Sequence, residues 1–199
     1  MFVMEQNEDQ LTAHSSLALI ESMINKAQNR FSENGTLYLV WGWVVAICSL
    51  SHYIMLTFTD IGPKSGMVWI LTWGAVVFQI YYSFKHKKQE TVKTYTDEII
   101  NYVWVTFGIS MALVSFIMAK LGTWTMLYAF ILLFYGIPTF LSGVIMRFKP
   151  LKIGGITCWI LSAISVYVQS REIILLLIPA VVIAWIIPGY SFRARIKKA

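Results

Sequence analysis

The chain has 199 residues, of which 57% are hydrophobic and 13% charged, with a formal net charge of +6. Water-soluble domains run nearer about 45–50% apolar and 25% charged, so a soluble globular fold is excluded. A nucleic-acid binder is excluded too, because the basic residues sit at the ends of apolar runs rather than on one soluble face.

In chain order, residues 1–14 are polar, and MFVMEQNEDQ lacks the basic and apolar regions of a cleaved signal peptide. From Ser16 to Glu33 the spacing turns helical. Leu17, Ile20, Met23, Ile24, Ala27 and Phe31 share one stripe, with Glu21, Asn25, Lys26, Asn29 and Arg30 opposite. This predicts an amphipathic helix over about 16–33 lying on the membrane surface, where Lys26 and Arg30 meet anionic headgroups. A straight cytoplasmic extension of the next helix and a stripe packed on another protein are the other two readings. Asn34-Gly35 closes this N-terminal segment, 1–35, with residues that tolerate a helix end.

Thr36 to Thr57 contains no Asp, Glu, Lys or Arg. At about 1.5 Å per residue this run covers the roughly 30 Å hydrocarbon core. Five comparable runs follow, and the predicted spans are 36–58, 66–84, 99–119, 123–146, 153–169 and 173–190. Ile61-Gly62-Pro63, Leu121-Gly122-Thr123 and Ser170-Arg171-Glu172 are turns between them. The predicted fold is therefore an all-α membrane protein whose six transmembrane helices form three antiparallel hairpins. The membrane domain is 36–190, and a basic tail occupies 191–199.

Thirteen of the 16 Lys and Arg fall on one side of these spans; only Lys64, Lys120 and Arg171 fall on the other. Basic loops stay inside, which predicts a multi-pass protein of the inner membrane with both termini cytoplasmic. The clusters around Lys85, Arg147 and Arg193 are read as topology signals held by anionic lipid, or alternatively as a docking face for an acidic partner.

Small residues recur at one offset. Gly42, Ala46 and Ser49 in span one match Gly108, Ala112 and Ser115 in span three, and Cys158, Ser162 and Ser165 in span five. Such faces let backbones approach closely, so the odd-numbered spans are expected to meet one another or a membrane partner there, including a second copy. Gly136 and Gly143 in span four serve the same purpose. Gln79 and Asn101 are expected to bond across spans two and three, and Thr94-x-x-Asp97 fits a capping box.

Few residues could carry chemistry. His52, with Cys48 and Trp41 on its face, is the one clear ionisable group deep in a span. It reads as a ligand pocket or weak metal site opening to the outer side, or as a neutral histidine near the interface bonded to a backbone carbonyl or water, with Cys48 as filler; two ligands are too few for stable metal. Tyr135, Pro138 and Trp185 mark a second candidate, a cavity where proline and glycine weaken spans four and six. Neither G-x-S-x-G, H-E-x-x-H, Walker A nor G-x-G-x-x-G occurs in the sequence. The expectation is a protein that is not an enzyme and uses no cofactor.

The runs ENGTLYLVWGWVVAICSLSHY, VKTYTDEII and GIPTFLSGVIMRFKPLKIGGITCW resemble an uncharacterised family of small bacterial six-span inner-membrane proteins. The resemblance implies a fold and no activity. Size and span count are also similar to the substrate-binding subunits of energy-coupling-factor vitamin transporters, which carry Ala-x-x-x-Ala faces where this chain has Gly42-x-x-x-Ala46. Two functions follow: a structural, interaction or regulatory membrane component working through helix packing and its cytoplasmic face, or a binder or carrier of a small solute or lipid-like ligand.

Overall fold

Backbone in lipid has no water to bond, so each segment must satisfy its own N–H and C=O groups, and a helix does so locally. The computed structural model describes residues 35–59, 62–87, 95–168 and 171–196, and these form helices and turns without strands. The predicted amphipathic helix at 16–33, the cap residue Thr94 and the end of the basic tail lie outside the described residues.

The first helix, α1 (Gly35–Phe58), follows the first predicted span closely. A 3-10 stretch, Gly62–Ile70, then leads into α2 (Leu71–Lys87). The remaining helices are α3 (Tyr95–Leu121), α4 (Trp124–Ile145), α5 (Lys149–Ser165), α6 (Ile173–Val181) and α7 (Ile187–Ile196). Residues Val182–Ile186 between the last two form a π turn, so α6 and α7 make one interrupted C-terminal helix. Among the described residues five stretches are long and apolar enough to cross a membrane; α5, with 17 residues, is shorter.

Three of these features correct the expected spans. Nine residues of 3-10 geometry open the second span, far beyond the usual three or four. The fifth begins at Lys149, four residues before the predicted start, because Pro150 fits the first turn of a helix and does not break it. In the sixth, Pro188 has no N–H to close the preceding turn, and the chain widens to π geometry just before it.

Two of the turns among the described residues end a helix in left-handed geometry. Gly122 has φ of 70°, and the Thr123 N–H reaches the Met118 carbonyl at 3.2 Å. Arg147 has φ of 51°, with Phe148 N–H on the Gly143 carbonyl at 2.9 Å and Arg147 N–H on Val144 at 3.1 Å. Both match the Schellman pattern, which buries the following apolar residue; here that residue is Phe148.

Packing runs in the order α2, α1, the C-terminal helix, α5, α4, α3. Helices in lipid gain nothing from excluding water and hold together by close contact. The glycines show where that happens. A Cβ on Gly42 would sit 2.6 Å from Ile186, and one on Gly189 would sit 2.7 Å from Leu39. Gly35 lies against Phe192, and the Ser49 hydroxyl donates to the Ile174 carbonyl. Positions rising along α1 meet positions falling along the C-terminal helix, so the two run antiparallel. Gly154 lies on Ala184, Gly155 on Phe140, Gly136 on Trp159 and Gly143 on Leu151 and Lys152, which joins α5 to both the π turn and α4.

The odd-numbered spans therefore do not meet along these small faces, although Tyr38 of α1 reaches Trp104 of α3 edge-on. Gly42 and Ser49 of α1 and Gly154 of α5 lie on the C-terminal helix, Ser162 of α5 bonds instead to α4, and on α3 Gly108 and Ala112 are exposed and Ser115 is half-buried. A Cβ on Gly108 would meet nothing within 4 Å. The contrast is testable by thermal unfolding in one detergent. Gly42→Leu should lower stability by about 1–3 kcal/mol or prevent folding, whereas Gly108→Leu should leave the monomer's melting temperature unchanged.

Candidate functional site

Aromatic rings fill the middle of the bundle. From the end where α1 starts and α7 finishes, Phe148 stacks on Phe192 at 4.1 Å between centroids, and Phe192 on Tyr38 at 6.1 Å. Tyr38 meets Trp104 edge-on at 5.9 Å, and Trp104 contacts both Phe107 and Trp185. Tyr135 lies 4.5 Å from Trp185 and 5.8 Å from Phe107. Four helices and Phe148, which caps α5, contribute to this column, and the π turn delivers Trp185 to its centre. Such contacts are worth about 0.5–1.5 kcal/mol each beyond area burial.

Pro138, Thr139 and Ser142 of α4 are fully buried beside this column. The Trp185 indole N–H donates to the Thr139 hydroxyl at 3.0 Å. Proline at 138 deprives the Phe134 carbonyl of its helical partner. One residue earlier the Leu133 carbonyl accepts the Trp159 indole N–H at 3.2 Å, and Ser162 donates to the Ala129 carbonyl at 3.0 Å. The proposed space between spans four and six is thus occupied by side chains, with Trp185 bonded to Thr139 across it and the Ser142 hydroxyl buried without a hydrogen-bond partner among the described residues.

A second cluster surrounds His52 near the far end of α1. The ring is buried, and its Nδ1 lies 2.9 Å from Trp69 Nε1 and 3.0 Å from the Tyr128 hydroxyl. Tryptophan N–H can only donate, so Nδ1 is the acceptor and the proton of this neutral imidazole sits on Nε2. Tyr128 then donates to the same lone pair. A proton on Nδ1 would oppose the Trp69 N–H, which has no lone pair to accept it. Cys48 donates weakly to the Val68 carbonyl at 3.5 Å, one turn earlier. Among the described residues no group of three His, Cys, Asp or Glu comes together.

The six candidate pocket residues consequently fall into two sets. Tyr135, Pro138 and Trp185 adjoin in the central column. Cys48 and His52 face the 3-10 stretch, and Trp41 Nε1 donates to Gln79 Oε1 of α2 at 2.6 Å. Gln79 pairs with α1 rather than with Asn101, which is exposed on α3; α2 packs on α1 and α3 on α4, so the expected bond between spans two and three has no geometry to form. Sequence reasoning missed Trp69 and Tyr128 as partners of His52. Trp69 was visible as one aromatic among many, but only the turn after α1 returns it to His52.

No protein-family model, curated protein or solved structure matches the chain. Its class rests on architecture: an all-helical protein, over the described residues, with several helices suited to a membrane.

The His52 cluster makes a graded prediction for thermal unfolding. His52→Leu strands two half-buried donors and should cost about 1–3 kcal/mol, while Tyr128→Phe removes one neutral bond for about 0.5–1.5 kcal/mol. His52→Asn puts an acceptor near the Nδ1 position and should recover most of the loss. Three variants melting together with the wild type would show that the cluster contributes nothing.

Proposed function

We propose that this is a non-catalytic integral membrane protein that acts by packing its helices against another transmembrane helix, as a structural or regulatory component of a membrane assembly. The carrying observation is the exposure of α3. None of its most apolar window is buried, against 56% for the C-terminal helix. Its backbone packs substantially on α4 alone among the described elements. Gly108 and Ala112 lie on its exposed surface at the spacing that lets a second helix come close.

The reading includes six spans, with α5 as the short fifth, arranged as three antiparallel hairpins in the bacterial inner membrane. The start of α1 and the end of α7 lie together, where Arg193 donates to the Thr36 hydroxyl at 3.3 Å, which supports both termini on one side. Thirteen basic residues on that side support its being cytoplasmic, held by anionic headgroups. A solute-binding subunit is the weaker reading, since Tyr135, Trp185, His52 and Trp41 are bonded or stacked on one another and on their neighbours.

Two measurements check this. Purified in mild detergent and crosslinked, the wild type should run as an assembly larger than one chain, and Gly108→Leu with Ala112→Leu should reduce it to a single chain of unchanged melting temperature. A monomer without partners in native membranes sinks the proposal. Reporter fusions after residue 199 should respond as cytoplasmic, and those at Gly122 as external.

A further inference from the structure

We infer that the groove between α1 and α2 binds one acyl chain of an anionic phospholipid, whose headgroup is held by Lys85. This stands independently of the α3 face.

The groove exists because α2 is pinned to α1 at two places and held off between them. Toward one end Trp41 donates to Gln79 at 2.6 Å; toward the other Cys48 reaches the Val68 carbonyl and Trp69 reaches His52. The intervening turns of α2 carry Gly74 and Ala75 where larger side chains would close the gap, and a Cβ on Gly74 would meet nothing within 4 Å. What remains is an open cavity of about 610 Å³, lined by apolar residues including Val40, Val44, Leu71, Gly74 and Phe78. Its lining selects an apolar chain.

Charge and register identify the rest of the ligand. Lys85 stands seven residues after Phe78 and 11 after Gly74, spacings that put all three on one helical face. Eleven residues of helix rise about 16 Å, close to the ~15 Å depth of one leaflet. A lipid with its phosphate at Lys85 therefore places its chain along Phe78 and ends it near Gly74. Lys85 is exposed, with no ion pair to any described residue, so its charge is available to the headgroup. A zwitterionic lipid fits the groove equally but gains less from the lysine.

Native mass spectrometry of the full chain, released from nanodiscs of equal phosphatidylglycerol and phosphatidylcholine, tests this. The wild type should retain one lipid, with phosphatidylglycerol favoured about fivefold, the preference expected from one basic residue near the surface. Gly74→Leu should abolish retention of both lipids while circular dichroism and melting stay as in the wild type. Lys85→Gln should keep the occupancy and lose the preference. Retention by Gly74→Leu equal to the wild type would overturn the inference. So would a retained mass equal to a free fatty acid, no retained lipid at all, or a protein dimer that Gly74→Leu dissociates.

Discussion

The structure depends on the seam between α1 and the interrupted C-terminal helix. Lipid is as apolar as leucine, so two greasy helices gain little by touching unless their backbones come close enough for dense contact. Gly35, Gly42 and Gly189 provide that approach, and the Ser49 hydroxyl adds a bond to backbone across the same interface. The seam joins the first and last helices of the described chain, so it closes the bundle. It also places Ile186 and Trp185 correctly, because the π turn that carries them is pressed between Gly42 on one side and Gly154 on the other.

Once that turn is positioned, the interior follows from where large rings can fit and what their polar tips can reach. Trp185 lies against Tyr135 and donates to Thr139; Trp159 and Ser162 tie α5 to carbonyls of α4. Each bond matters more for what breaking it leaves behind than for its own modest net energy, since a stranded donor inside the bundle has no water to turn to. Pro138 leaves the Phe134 carbonyl without its helical N–H, and the indole and hydroxyl of α5 bond the nearby Leu133 and Ala129 carbonyls rather than that one.

Much of this was legible in the sequence, for a physical reason. Span positions follow from the absence of charge over about 20 residues, a property of the chain alone, and five of the six helices begin within about four residues of where it indicated. The Gly122 turn was legible because only glycine takes φ of 70° freely. Partners were not legible. Periodicity tells which residues share a face but not which face meets which neighbour, so the Gly108 stripe looked identical to the Gly42 stripe although one is exposed and the other is covered. His52 was identifiable as unusual, whereas Trp69 and Tyr128 come to it from 17 and 76 residues away. The 3-10 stretch and the π turn were equally hidden, because both are adjustments the backbone makes to contacts formed elsewhere.

The two lateral helices are held differently from the rest, and the difference has consequences. The core helices are joined by backbone contact at glycine, which leaves no room for small displacements. By contrast α2 hangs on α1 through side chains, Trp41 to Gln79 and His52 to Trp69, with an open groove between the two attachments. The nine residues leading into it adopt 3-10 geometry, in which the hydrogen bonds are poorer than in an α-helix. A segment with few buried contacts and weak internal bonding opens at lower free energy than the core it is attached to. The rigid part of the molecule is therefore the body of α1, α4, α5 and the C-terminal helix, and α2 is the element whose position a bound lipid or a neighbouring helix can change at least cost.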